Sequence, residues 1–300
     1  MTYNAIPQVV LMGLSLVAAA GCWRGESDGG GEALGKSESA ITSLNRLTMN
    51  NLTASSLGVA ELSSAALSGN GLTLAQDSLL KSKKGREVLT FLMRCALPAG
   101  GKVSGSLGGK TYTFSGLIGL APEWLGTPLS KSERRWVSAC MLAHVNGYDN
   151  EVAISLRGSN PALATSAAEM DEYAVEEMSF YGDVFDPDGP IMYACAGDGP
   201  QTTCPGPPGE QMARRSCDED EPCLMQVPGP CHDMTLSGAD ACEGGSSGLS
   251  SGCHSTLKPS GNAWPAGNSS YLEVITVYMS PGDFEDYFDC DYIGLLESTP

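Results

Sequence analysis

Cys140 and His144 stand four residues apart in SERRWVSACMLAHVNG, which on a helix places a thiol and an imidazole one turn apart on one face. A reduced thiol in that position would be a thiolate nucleophile beside its base. The histidine has three readings: a packed core residue, a general base or a metal ligand. Two Cys-His dipeptides, Cys231-His232 and Cys253-His254, with Cys242 between them, offer zinc-type ligands, although at spacings that match no zinc-finger pattern. GLSSG, residues 248 to 252, has the form of a serine-hydrolase elbow around Ser250. That elbow needs a strand before it and a helix after it, whereas Gly/Ser-rich coil precedes and Cys-His follows.

The redox state of the cysteines decides between these chemistries. The chain opens on MTYNAIPQVVLMGLSLVAAAGC, an apolar run from about Val9 to Ala20, too short to span a bilayer, followed by small residues and Cys22. AAGC resembles the lipobox of bacterial lipoproteins, which implies cleavage after residue 21 and lipidation of Cys22. Ordinary secretion, or an apolar start that is not cleaved, is the alternative. Residues 22–43 are rich in Gly, Ser and charge and read as a tether. Ten cysteines remain, Cys95, Cys140, Cys195, Cys204, Cys217, Cys223, Cys231, Cys242, Cys253 and Cys290, and an even number in an exported chain implies disulfides. Cys195 with Cys204 and Cys217 with Cys223 are local candidate pairs. Disulfide formation would remove both the thiolate nucleophile and the zinc ligands.

Carboxylates supply the other candidate chemistry. DVFDPDGP carries Asp183, Asp186 and Asp188 ahead of Gly189, a calcium-loop composition, but Val184 and Cys195 stand where an EF-hand needs acids. A hairpin turn between two strands is the competing reading. The net charge is −18, and it is unevenly spread: 14 basic and 11 acidic residues lie before position 169, 3 and 24 from position 169 onward. Such an acidic half repels nucleic acid and anionic lipid, so no nucleic-acid partner is expected, while cations and cationic partners remain open.

The elements that would position these groups can be read from periodicity. Leucine recurs at 47, 52, 57, 62, 67 and 72, a period of five that fits neither helix nor strand, with small or amide-bearing residues two before each. This resembles the pentapeptide repeat, which implies a short β-helix stub over residues 44–76, leaning on the adjoining domain because so few repeats cannot bury their own apolar side. From Asp77 to Cys95 the chain reads as a helix with Val88, Phe91, Leu92 and Cys95 on one face and KSKKGR outside. VSGSLGGKTYTFSG reads as a hairpin about Gly108-Gly109. Ser130 and Glu133 form a capping-box pattern opening a helix with Trp136, Cys140 and His144 on one face. Cys95 and Cys140, both on apolar faces of adjacent helices, are therefore expected to bond. Strand candidates are 151–158, 176–185, 191–197 and 272–279. The cysteine-rich stretch at about 197–270 reads as stapled loops inserted between two strands.

Together, AAGC, the repeats of the LNRLTMNNL kind, GREVLTFLMRCALP and SERRWVSACMLAHVNGY leading to EVAISLRG resemble a group of exported cysteine-rich lipoproteins of myxobacteria. The likeness spans most of residues 44–196 and implies class and compartment, but no catalytic residue. The expected fold is α+β: a disulfide-rich domain over 77–300 with two helices and a mainly antiparallel sheet. The expected protein is a lipid-anchored component of the bacterial envelope, at the outer membrane or else secreted. It would act by binding or scaffolding toward an envelope or extracellular partner. The alternatives are a periplasmic or surface hydrolase drawing on His144, Glu176 and Glu177, and calcium binding by the acidic half, calcium being the one cofactor left open.

Overall fold

Alternating apolar and polar residues in the strand segments produce a five-stranded antiparallel sheet in the order β1-β4-β7-β5-β6. The strands are β1 (Thr42–Leu44), β4 (Ala153–Arg157), β5 (Val175–Asp183), β6 (Ile191–Ala196) and β7 (Ile275–Met279). The computed structural model describes residues 42–44, 47–67, 77–147, 151–186, 188–197, 199, 225 and 271–288. All of these fall within one unit, Glu38–Pro300. The signal segment, Cys22, most of the tether, nearly all of the 197–270 stretch and Cys290 lie outside the described residues, as do the pairs proposed for Cys217 with Cys223 and Cys195 with Cys204.

Register sorts the sheet into two unlike faces. Leu156 pairs with Val277 and Val277 with Met178, so these apolar residues share one face with Ile154, Ile275 and Phe180. Ser155 pairs with Tyr278 and Tyr278 with Glu176, while Arg157 pairs with Thr276 and Thr276 with Ser179, which makes the opposite face polar. A bulge at Glu177 lets Glu176 and Ser179 fall on the same face.

Helices α4 (Lys83–Ala96) and α5 (Lys131–Ala143) pack on each other, and α5 lies over β5 and β7. The capping box at α5 forms as its sequence predicts. Ser130 Oγ accepts from the Glu133 amide at 3.3 Å, and Glu133 Oε2 accepts from the Ser130 amide at 2.8 Å. Cys95 and Cys140 are disulfide-bonded, joining α4 to α5 inside the core. The hairpin is β2 (Lys102–Leu107) and β3 (Lys110–Ser115), turned by Gly108 and Gly109 at φ 58° and 81°. Two positive φ values are what a two-residue turn of the correct twist requires, and glycine adopts them without steric cost.

Residues Ala167–Glu172 and Pro281–Phe288 add short helices to the two expected of the domain, the first opened by the Ser166 cap, and two further segments depart from expectation. The helix read from Asp77 onward is two helices, α3 (Asp77–Lys81) and α4, separated at Ser82, whose side chain caps α4 by accepting from the Gly85 amide at 2.8 Å. Among the described residues of the leucine array there is no β-helix: residues 49–54 and 56–63 are helices α1 and α2. On a continuous helix a period of five would drive the leucines around the axis. The interruption at Ser55 resets the rotation, so Leu52 of α1 and Val59 and Leu62 of α2 are all buried. With Leu47 and Leu67 they enter the same core as α4, α5 and the apolar sheet face. Backbone bonds fasten the segment to the rest of the fold, including Leu47 N–H to His144 O at 2.9 Å and Leu67 N–H to Trp124 O at 2.8 Å.

Candidate functional site

Three groupings of chemically capable side chains lie in the described fold. The first is Cys95, Cys140 and His144, whose ligand-type atoms lie within 4.8 Å of one another. His144 Nδ1 is 2.7 Å from the carbonyl oxygen of Cys140, 3.8 Å from the sulfur of Cys140 and 4.0 Å from that of Cys95. Because a carbonyl oxygen only accepts, Nδ1 carries the ring proton. The imidazole also packs against Phe91, ring centroids 5.1 Å apart. All three residues are fully buried, and both sulfurs are consumed in the disulfide. Oxidised, the cluster offers no thiolate for attack or for holding a metal. Cys195 on β6 is disulfide-bonded as well.

The second grouping occupies the polar face of the sheet. Arg157 donates from Nε to Ser155 Oγ at 3.2 Å and from Nη2 to the Tyr173 carbonyl at 2.5 Å, and its guanidinium lies 3.8 Å from the centre of the Tyr278 ring. Ser155 in turn donates to Glu169 Oε1 at 2.7 Å. Glu169 comes from α6 (Ala167–Glu172), whose cap is Ser166. Tyr278 donates to Glu176 Oε2 at 3.2 Å, and Ser179 shares a hydrogen bond with Thr276 at 2.8 Å. Burial raises the Glu169 carboxyl above its ordinary range, opposed by the Ser155 hydrogen bond and the Arg157 charge. Burial likewise lowers Arg157, opposed by Tyr278, Glu169 and Glu176.

Arg157 and Glu169 were not singled out by the sequence. Their signals are present, a polar alternation in Ala153–Arg157 and the S-x-x-E cap of residues 166 to 169, but each signal reports an element and neither reports that the two meet. No known family, curated protein or solved structure matches this chain. The chemistry therefore rests on the geometry alone.

The third grouping is the aspartate turn. Asp183 Oδ2 pairs with Arg134 at 3.1 Å and Oδ1 accepts from the Phe185 amide at 3.1 Å. Asp186 Oδ1 accepts from the Asp188 amide at 3.0 Å. Arg134 carries the pair to α5, and Ser138 reinforces it, donating to the Arg134 carbonyl at 2.6 Å and accepting from the Val184 amide at 2.9 Å. Burial raises the Asp183 carboxyl, with Arg134 and the Phe185 amide pulling it back down. The three aspartates stand at the β5–β6 connection, as the hairpin reading has it, and Asp183 ties that connection to α5.

The candidate hydrolase residues fall into different surroundings. His144 is in the helical core, Glu177 is fully buried at the bulge, and Glu176 is bonded to Tyr278 on the polar sheet face. Ser250, His232 and His254 lie outside the described residues. Among the described residues, no helix is long and apolar enough to cross a membrane.

Proposed function

We propose that the protein is an exported, lipid-anchored component of the bacterial envelope that acts by binding or scaffolding. The observation that carries this reading is the Cys95–Cys140 disulfide, fully buried where α4, α5 and the sheet share one core. A core built around an oxidised pair belongs to an oxidising compartment, since cytosolic reductants keep such thiols apart. AAGC ending at Cys22 supports the anchor. The polar groups of the three candidate sites bond to backbone and to neighbouring side chains in the manner of fold-holding networks, which favours binding or scaffolding over hydrolysis.

The test is made on the native chain and on Cys22→Ala, expressed in a Gram-negative host fed an alkyne analogue of palmitate. The native chain is expected to take the label and fractionate with membranes, and Cys22→Ala to take no label. An unlabelled native chain overturns the anchor. Alkylation and intact mass of the envelope-purified chain are expected to find Cys95 and Cys140 unmodified until reductant and denaturant are added together. Free thiols at both positions in the native protein overturn the oxidised compartment.

A further inference from the structure

We propose that the α3–α4 turn, together with the tip of the β2–β3 hairpin, is a docking surface for anionic phospholipid. The proposal rests on the lipid-anchored reading above, because an anchor at Cys22 would hold this domain beside a bilayer.

Charge is the first observation. The whole chain carries −18, yet residues 77 to 115 hold seven basic and two acidic residues. Six lysines and arginines are exposed among the described residues, and only Lys131 of the six lies outside this stretch. Lys81 ends α3, Lys83 and Lys84 open α4, and all three are exposed. Of the two acids, Glu87 is bonded to Asn51 at 2.8 Å.

Geometry is the second. α3 packs on α4 and β2, and α4 on β3, which brings the turn and the hairpin together. Arg86 lies 5.0 Å and Lys110 5.1 Å from the centre of the Tyr112 ring. One half-buried aromatic is therefore flanked by cations from both elements, the pairing of polar ring and basic side chains that suits the headgroup layer of a membrane.

The third observation is a conflict between levels. A helix N-terminus favours acids and disfavours cations. α5, α6 and α7 (Pro281–Phe288) carry Glu133, Glu169 and Asp283 in their first turns, Glu133 offsetting Lys131 at the start of α5, whereas α4 begins Lys83-Lys84 with no acid there to offset them. Exposed residues set against the preference of their own helix, and needed by no core contact, point to a partner that supplies the negative charge. A chain of net charge −18 disfavours an extended polyanion such as nucleic acid, whereas an anchor at Cys22 would hold this patch beside an anionic bilayer.

The experiment uses the mature chain, residues 22 to 300, carrying Cys22→Ala, so that neither the apolar signal segment nor a lipid contributes. It is floated with vesicles of phosphatidylcholine alone or with one third phosphatidylglycerol, at low and high salt. Binding to the phosphatidylglycerol vesicles only, and weakening with salt, is expected. Each cation near an anionic surface contributes roughly fivefold, so Lys81→Gln, Lys83→Gln, Lys84→Gln and Lys110→Gln combined, all at exposed positions, should lose well over tenfold. Lys131→Gln should lose little, and far-UV circular dichroism with an intact disulfide confirms that the variants fold. Equal binding to both vesicle types, undiminished binding by the fourfold variant, or capture of soluble polyphosphate without vesicle binding would each overturn the proposal. Because every sample lacks the anchor, these outcomes do not depend on whether Cys22 is acylated, which the palmitate label reads separately.

Discussion

The imidazole of His144 closes the last turn of α5 against the disulfide, its Nδ1 donating to the Cys140 carbonyl at 2.7 Å while the Cys140 sulfur lies 3.8 Å away. Removing this side chain leaves a buried carbonyl without that donor, which costs about 1–3 kcal/mol. His144→Ala should destabilise by that amount in urea unfolding, with Cys95 and Cys140 still oxidised by mass. A thiol freed in the variant would mean that the histidine guards the redox state of the pair.

The disulfide itself ties residues 45 apart in sequence. In the chain-entropy account such a closure is worth roughly 4 kcal/mol. The double variant Cys95→Ala, Cys140→Ala should lose about that much, measured at equilibrium in denaturant. A loss near zero would show that helix packing alone holds α4 on α5.

Glu169 gives a pH dependence of definite sign. Its folded pKa is raised above 4.5 by burial, so the folded state holds the proton more tightly than the unfolded chain. The stability this contributes is fully present below the ordinary glutamate range and is lost as pH rises through the folded value. Glu169→Gln does not titrate, so its stability relative to the native chain should improve from pH 4 to pH 7.5. Denaturant titrations of both proteins at the two pH values decide it, and an opposite trend would mean that Arg157 outweighs burial at this carboxylate.

Gly85 sits in the first turns of α4, where alanine would ordinarily gain up to about 1 kcal/mol in helix propensity. A Cβ at that position would meet the Leu79 Cα at 2.8 Å and its carbonyl oxygen closer still. Gly85→Ala should therefore lower Tm, because the close approach of α3 cannot relax without moving backbone. A raised Tm would show that α3 shifts freely.

Asp183 should behave as a brace. Asp183→Ala removes the Arg134 pair and the acceptor for the Phe185 amide, at a cost of about 2–4 kcal/mol. Asp183→Asn retains an acceptor oxygen and should lose clearly less in the same unfolding assay. Equal losses would assign the whole effect to charge, and a rise in Tm with added calcium in the native chain alone would favour the cation-binding reading.

Much of the helical layer was legible because its signals are local. Ser130 and Glu133 announce the start of α5, Gly108-Gly109 fixes the hairpin turn, and the apolar faces holding Cys95 and Cys140 foretell their bond. The leucine array misled because a period measures spacing and carries no record of where the helix is interrupted. Ser55 and Ser82 break helices at points where pattern alone continues them. The Arg157–Ser155–Glu169 network was invisible for another reason: it joins β4 to α6 through tertiary placement, and neither charged residue differs from a solvated one in a string of letters.

β7 lies between β4 and β5, although it is made more than ninety residues after the start of β5. Until residue 275 emerges, β4 and β5 each lack the neighbour that covers an edge, and the apolar sheet face under α5 is incomplete. Folding that waits for late, distant contacts is slow to begin. A chain threaded through a translocation channel from its N-terminus would stay pliable until most of its length had crossed, and only then lock.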